Sequence, residues 1–215
     1  MKMKIKYIVT LFVLAMTVNA FAQNKGKILL DEVSQKVKSY DNISIDFKYS
    51  LENISENIKQ ETRGDVVMQG EKYKLNILGI TRLFDGNKLY SISPEDEEVT
   101  ISSESEDEED AITPSKMLSF YEDGYTYEFD IQQNINGRKI QYVKLTPIDS
   151  NSELKSILLG IDAQTKHIYN LIQVGKNGSK TTLTVNSFKT NQPISKTLFT
   201  FDANKYKDYY INKLD

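Results

Sequence analysis

Few residues in this chain could do chemistry, and their spacing gives them little to do. There is one histidine, His167, and no cysteine. Disulfides, thiolate metal sites and cysteine nucleophiles are therefore excluded, and a zinc site or a Ser-His-Asp relay has a single imidazole to draw on. His167 follows a turn lysine and opens a strand, the setting of a surface histidine rather than a general base. Serine and threonine are plentiful, but no Gly-x-Ser-x-Gly elbow occurs and no glycine loop is spaced to cradle a phosphate. The paired carboxylates lie in one block, Glu104 to Asp110, with six acids in seven residues. Hard cations take carboxylate oxygens, yet this run lacks the Asp-x-Asp-x-Asp-Gly spacing that wraps an ion. No apolar pocket sets two of its pKa values apart. Such a block repels itself and stays solvated, so residues 102 to 110 read as an acidic loop. No enzyme is expected, and no metal.

What the sequence supplies in quantity is apolar and aromatic, with 13 Tyr, 9 Phe and no Trp. These residues alternate with polar ones, so that one face of each strand is apolar and the other wet. Ile43, Ile45, Phe47, Tyr49 and Leu51 give the clearest case. From Gly64 to Ile92 the chain reads as a meander, with Val66 and Met68, then Tyr73, Leu75 and Ile77, then Leu83, then Leu89 or Tyr90. Gly70-Glu71, Gly79 and Asp85-Gly86-Asn87 punctuate it as hairpin turns. Further strands follow at Val99 and Ile101, at Tyr125 to Ile131, and after Asn136-Gly137 at residues 139–147. A C-terminal meander then runs from Ser156 past Lys176-Asn177-Gly178 to Phe201.

Two helices interrupt the strands. Residues 25–40 carry Ile28, Leu29, Val33, Val37 and Tyr40 at helical spacing. Thr113-Pro114 opens a second helix, with Met117, Leu118, Phe120 and Tyr121 on its apolar side and Glu122-Asp123-Gly124 at its end. The expected fold is mainly β, an incompletely closed antiparallel barrel of about ten or eleven strands covered by short α-helices. No linker or repeat divides residues 23–215, which read as a single domain. Phe47, Tyr49, Met68, Tyr73, Leu75, Ile77, Leu118 and Tyr121 converge between sheet and helices. They either pack as a core or line a cavity for an apolar ligand, and alternation alone leaves both open.

Residues 1–22 have three lysines, an apolar run from Tyr7 to Val18 and Ala20-Phe21-Ala22. This is the pattern of a secretory signal peptide cleaved before Gln23. Loss of its lysines leaves 24 basic against 30 acidic residues, a net charge of −6. An acidic secreted chain is a poor partner for nucleic acid and for anionic lipid headgroups.

GDVVMQGEKYKLNI followed by LFDGNKLYSISPEDEEVTI, then TPSKMLSFY, resembles the outer-membrane lipoprotein carrier proteins, the LolA-like family. LLGIDAQTKHIYNLIQVGKNGSKTTLTVNSFKTNQ is similar to that family's paired strands, so the resemblance runs from Tyr40 to the final FTFDANKY. It implies a monomeric periplasmic half-barrel lidded by helices, with no cofactor. Its cavity would hold the acyl chains of lipoproteins, loaded from an inner-membrane lipoprotein-releasing transporter and released at an outer-membrane acceptor. The eight convergent residues would then be lipid-binding. A sensing module of the same fold, for lipids or mislocalised lipoproteins, is the alternative. One position departs from the pattern. Where many members place a basic residue before the strand aromatic to hold the lid, this chain has Gln69, so the lid is expected to be held mainly by apolar contacts.

Overall fold

The computed structural model describes residues 25–103 and 120–214. Among them are one helix, α1 (residues 25–38), and one sheet of twelve strands. The strands are β1 (Ile43–Asn53), β2 (Ile58–Gln69), β3 (Lys72–Ile77), β4 (Ile80–Phe84), β5 (Lys88–Ser93) and β6 (Glu98–Ser103). After a 3-10 turn at Phe120–Glu122 come β7 (Tyr125–Ile135), β8 (Arg138–Pro147), β9 (Leu154–Asp162), β10 (Ile168–Gly175), β11 (Lys180–Thr190) and β12 (Tyr210–Lys213). The order across the sheet is β12-β6-β5-β4-β3-β2-β1-β11-β10-β9-β8-β7. Two meanders, β1–β6 and β7–β11, thus lie side by side, joined where β1 pairs with β11. The edge strands β7 and β12 do not pair with each other, so the barrel is open.

Two details differ from the expected architecture. A twelfth strand is present, and it runs parallel to β6, with Ile211 opposite Val99. Four residues are too few to reveal period 2, which hid it. The start expected for a second helix at Thr113-Pro114 lies outside the described residues, as do the leader at 1–22 and the acidic run from Glu104 to Asp110. The residues expected at its end, Phe120–Glu122, form a single 3-10 turn.

One face of the sheet, the inner one, packs against α1. Leu29, Leu30, Val33 and Val37 form the buried stripe of the helix, following the i, i+3, i+4 spacing of one helical face. Leu30 belongs to that stripe, whereas Ile28 is turned half out to solvent. Beneath α1 lie Val143, Leu145, Ile157, Leu159 and Ile161, all at 0% exposure. Gly26 lets the helix approach this half of the sheet closely, since a Cβ there would stand 3.4 Å from both Tyr127 Cβ and Val143 Cγ1.

The outer face is also apolar over β4–β6, which corrects the expectation of one greasy side. Leu83 sits opposite Lys74 and so faces away from Tyr73 and Leu75. Leu83, Ile92 and Val99 are buried, Leu83 and Ile92 face Leu198, Phe201 and Tyr206 of the segment 191–209, and Phe201 stacks on Tyr90 at 4.4 Å. This strap ends in β12.

Candidate functional site

Strand register sorts the inner face of β1–β5 into rows. The first is Ile43, Met68, Tyr73, Phe84 and Leu89. The second is Ile45, Val66, Leu75, Arg82 and Ser91, and the third is Phe47, Gly64, Ile77 and Ile80. Burial declines along these rows. Ile43, Met68, Tyr73 and Phe84 are buried, Leu75 and Ile77 are half-buried, and Ile80 is 38% exposed. The result is an apolar ledge, sealed at the first row and opening toward the β3–β4 hairpin. Gly64 is required within it, because a Cβ there would fall 2.6 Å from Phe47 Cζ. The phenylalanine ring lies in the space that the glycine leaves.

Of the residues expected to line a cavity, Phe47, Met68, Tyr73 and Tyr121 are buried members of one cluster with the stripe of α1. Tyr49, Leu75 and Ile77 are half-buried against that cluster, and Leu118 lies outside the described residues. Sequence reading missed Phe84, Leu89 and Ile80. In β4, Leu83 and Phe84 are adjacent and serve opposite faces, so ITRLF shows no alternation. Ile43, Ile45 and Val66 do share the period of Phe47 and Met68, and their spacing was the signal that could have added them.

Tyr121 is anchored over the inner face from behind. The Tyr127 hydroxyl donates to the Tyr121 carbonyl at 2.7 Å and to that of Glu122 at 3.0 Å. The Glu122 carboxylate accepts from Ser34 Oγ at 2.7 Å and from Lys38 Nζ at 2.9 Å, both on α1. The Lys38 ammonium, with the Ser34 hydroxyl, holds the Glu122 carboxyl below the usual carboxylate range. Ser34 spends its proton on Glu122, and the Tyr121 hydroxyl beside it is left without a partner. Burial raises that phenol well above its ordinary pKa. The lid expectation is therefore modified. The apolar stripe carries most of the contact, but a charge-assisted clamp exists, centred on Glu122 rather than on the strand before Tyr73. Neither Arg63 nor Arg82 has a side-chain hydrogen bond or ion pair among the described residues.

His167 corrects a second expectation. It is half-buried, bonded through Nε2 to the Tyr40 hydroxyl at 2.8 Å and stacked on Phe188 at 4.1 Å. Burial, and then the nearby Lys36, lowers its pKa. It braces the C-terminal end of α1 against β11. A second tie joins Lys166 Nζ to the Glu32 carboxylate of α1 at 2.6 Å. Among the described residues no group of three or more His, Asp or Glu could hold a metal ion, and no helix is long and apolar enough to cross a membrane.

The arrangement thus offers apolar area and adaptable packing, which suit the sheltering of hydrocarbon. Among solved structures, a conserved, uncharacterized protein from Thermus thermophilus matches with a TM-score of 0.56 at 8% identity, covering 88% of this chain and 99% of that one. A LolA superfamily protein from Nitrosomonas europaea matches with a TM-score of 0.43 at 13% identity, over 82% and 98%. The lipoprotein LppX from Mycobacterium tuberculosis matches with a TM-score of 0.49 at 16% identity, over 79% and 98%. No curated protein matches by sequence. Residues 35–202 match the family described as outer membrane lipoprotein carrier protein LolA, and the chain belongs to that family.

Proposed function

We propose that this chain is a periplasmic carrier that houses lipoprotein acyl chains on the inner face of its half-barrel and ferries them from the inner to the outer membrane. The observation that carries the reading is the decline in burial across the rows from Tyr73 to Ile80, which leaves apolar side chains half-covered beside a sealed core. Phe47, Met68, Tyr73 and Tyr121 form the floor and back wall of the site. Tyr49, Leu75 and Ile77 are the residues an acyl chain would touch first, and Arg82, in the row of Leu75, lies where a polar head could be met. Leu118 is retained as a lining residue. Each buried methylene is worth about 0.8 kcal/mol, so one acyl chain outside a membrane needs a dedicated shelter. Release must also be possible, and Met68 supplies an unbranched side chain that accommodates a changing shape. Among the described residues the site holds no group placed for catalysis, and loading and release would be the work of membrane partners at either end.

Native mass spectrometry of the protein purified from its own periplasm, followed by solvent extraction, tests this. A co-purifying acylated polypeptide is the expected result. Free phospholipid would move the function to general lipid transfer or lipid sensing. A bare mass that persists after incubation with a triacylated peptide would overturn it.

A further inference from the structure

The β3–β4 hairpin turns through Leu78 and Gly79, both at positive φ, 54° and 78°. Ile77 pairs directly with Ile80 across it, making a two-residue hairpin. The first position of such a turn favours Asn, Asp or Gly, which tolerate positive φ, and a bulky apolar residue there is strained. Leu78 is 62% exposed, and Ile80 next to it 38%. The tip therefore breaks the local rule twice, in backbone and in solvation, without burying anything in return. A side chain kept out under those conditions is explained by a contact outside the chain.

The surroundings of the tip say what kind of contact. Behind it is a hollow of about 580 Å³, lined by Asp46, Arg63, Asp65 and Asn76 as well as by Leu78 and Ile80. Asp46 and Asp65 stand directly opposite each other on β1 and β2. Like charges in that register repel, and among the described residues no lysine or arginine pairs with either. Asp65 is met only by the Asn76 amide, at 2.8 Å. On the other side of the tip, Thr81 pairs with Ile92, which brings the β5–β6 turn with Glu95, Asp96 and Glu97 alongside. The apolar tip is thus bordered by five carboxylates, Asp46, Asp65, Glu95, Asp96 and Glu97, which outnumber the nearby guanidinium groups of Arg63 in the hollow and Arg82 on β4. An anionic lipid surface would be repelled by the carboxylates, whereas a protein surface with an apolar centre and basic edge would be matched in both respects.

We propose that this end of the sheet is a docking surface for a protein partner, with Leu78 and Ile80 entering an apolar depression and Lys or Arg side chains of the partner reaching Asp46, Asp65 and the Glu95–Glu97 turn. The docking surface shares Ile80 with the inner face, and Phe47, Gly64 and Ile77 of the same row also line the hollow, but Leu78 and the carboxylates lie outside the proposed acyl-chain site.

The test is site-specific photocrosslinking of the full chain in its native envelope, with p-benzoylphenylalanine in place of Leu78. One discrete protein adduct is expected, its crosslinked peptide apolar and flanked by Lys or Arg. With the crosslinker at Ile80 instead, two variants separate docking from folding. Leu78→Asn supplies the turn residue the backbone prefers, so thermal stability should hold or rise while the adduct falls by about tenfold, as when one apolar anchor is lost. Asp46→Lys combined with Asp65→Lys should reduce the adduct similarly at unchanged Tm. Three outcomes would overturn the proposal: no protein adduct, an adduct indifferent to the charge reversal, or flotation of the protein with vesicles of phosphatidylethanolamine and phosphatidylglycerol that Leu78→Asn abolishes. The last would assign the tip to the membrane.

Discussion

The inner face of β7–β10 and the inner face of β1–β5 are built from the same period-2 alternation, yet they end in different states. Under α1, Val143, Leu145, Ile157, Leu159 and Ile161 are wholly buried, because Gly26 allows the helix to close on that half of the sheet. Across β3–β5 the corresponding residues Leu75, Ile77 and Leu89 remain half-covered. The difference shows that alternation determines which side is apolar, while the covering element determines whether that side is sealed or left half-covered. One half of the sheet is sealed by the helix; the other keeps Leu75, Ile77 and Leu89 half-covered.

Substitutions can break that contrast. Leu159→Asp should yield no folded protein, since an unpaired buried charge costs several kcal/mol against a total stability of about 5–15 kcal/mol. The milder Leu159→Ala should cost about 2–5 kcal/mol and lower Tm by roughly 5–15 °C in thermal melts, whereas Leu75→Ala should lower it by much less. Leu75→Glu sharpens the point further. A half-covered position can turn a carboxylate toward water, so the variant should melt within a few degrees of the parent while its affinity for a triacylated peptide drops by about tenfold or more. Phe47→Glu should instead unfold, because the Phe47 ring is buried over Gly64.

Acid should loosen the helix-sealed half through His167. Its folded pKa is lowered, first by burial, with Lys36 and Arg138 acting the same way and Asp162 opposing. Its contribution is therefore complete above about pH 6.5 and lost as pH falls through the lowered folded value. Chemical denaturation between pH 7.5 and 5.5 should show stability declining in the parent and a flatter profile in His167→Gln. The smallest effect belongs to the clamp. Glu122 also has a lowered pKa, so its stabilisation is present above the ordinary carboxylate pKa and lost as pH falls through the folded value. Glu122 and Lys38 are 41% and 66% exposed, so solvent screening limits Glu122→Gln to under about 1 kcal/mol by denaturant titration.

Much of the fold was legible because its strands are half-buried and its turns carry Gly and Asn. Ile43 to Leu51 and the Asn136-Gly137 hairpin needed only local physics. What was not legible is what depends on both faces of a strand at once. Leu83 and Phe84 look like a simple apolar pair, but one packs under the strap and the other over Tyr73. The strap itself has no period, and β12 is defined by its partner β6 rather than by its own residues. The convergence of Phe47, Met68, Tyr73 and Tyr121 into one buried cluster was legible because apolar type and spacing coincide there. The graded opening toward Ile80 could not be read, since it depends on where α1 lies. His167 looked exposed because its partners Tyr40 and Phe188 are distant in sequence.

The central claim is that the two halves of the inner face have different occupants, a helix on one and an acyl chain on the other. A triacylated peptide bearing a diazirine on its acyl chain, photolysed with the full-length protein and mapped by peptide mass spectrometry, tests it most directly. Label on Tyr49, Leu75, Ile77 or Leu89, with none on Val143, Leu145 or Leu159, is the expected result. Label distributed over both halves, or absent from both at saturating peptide, would contradict the account.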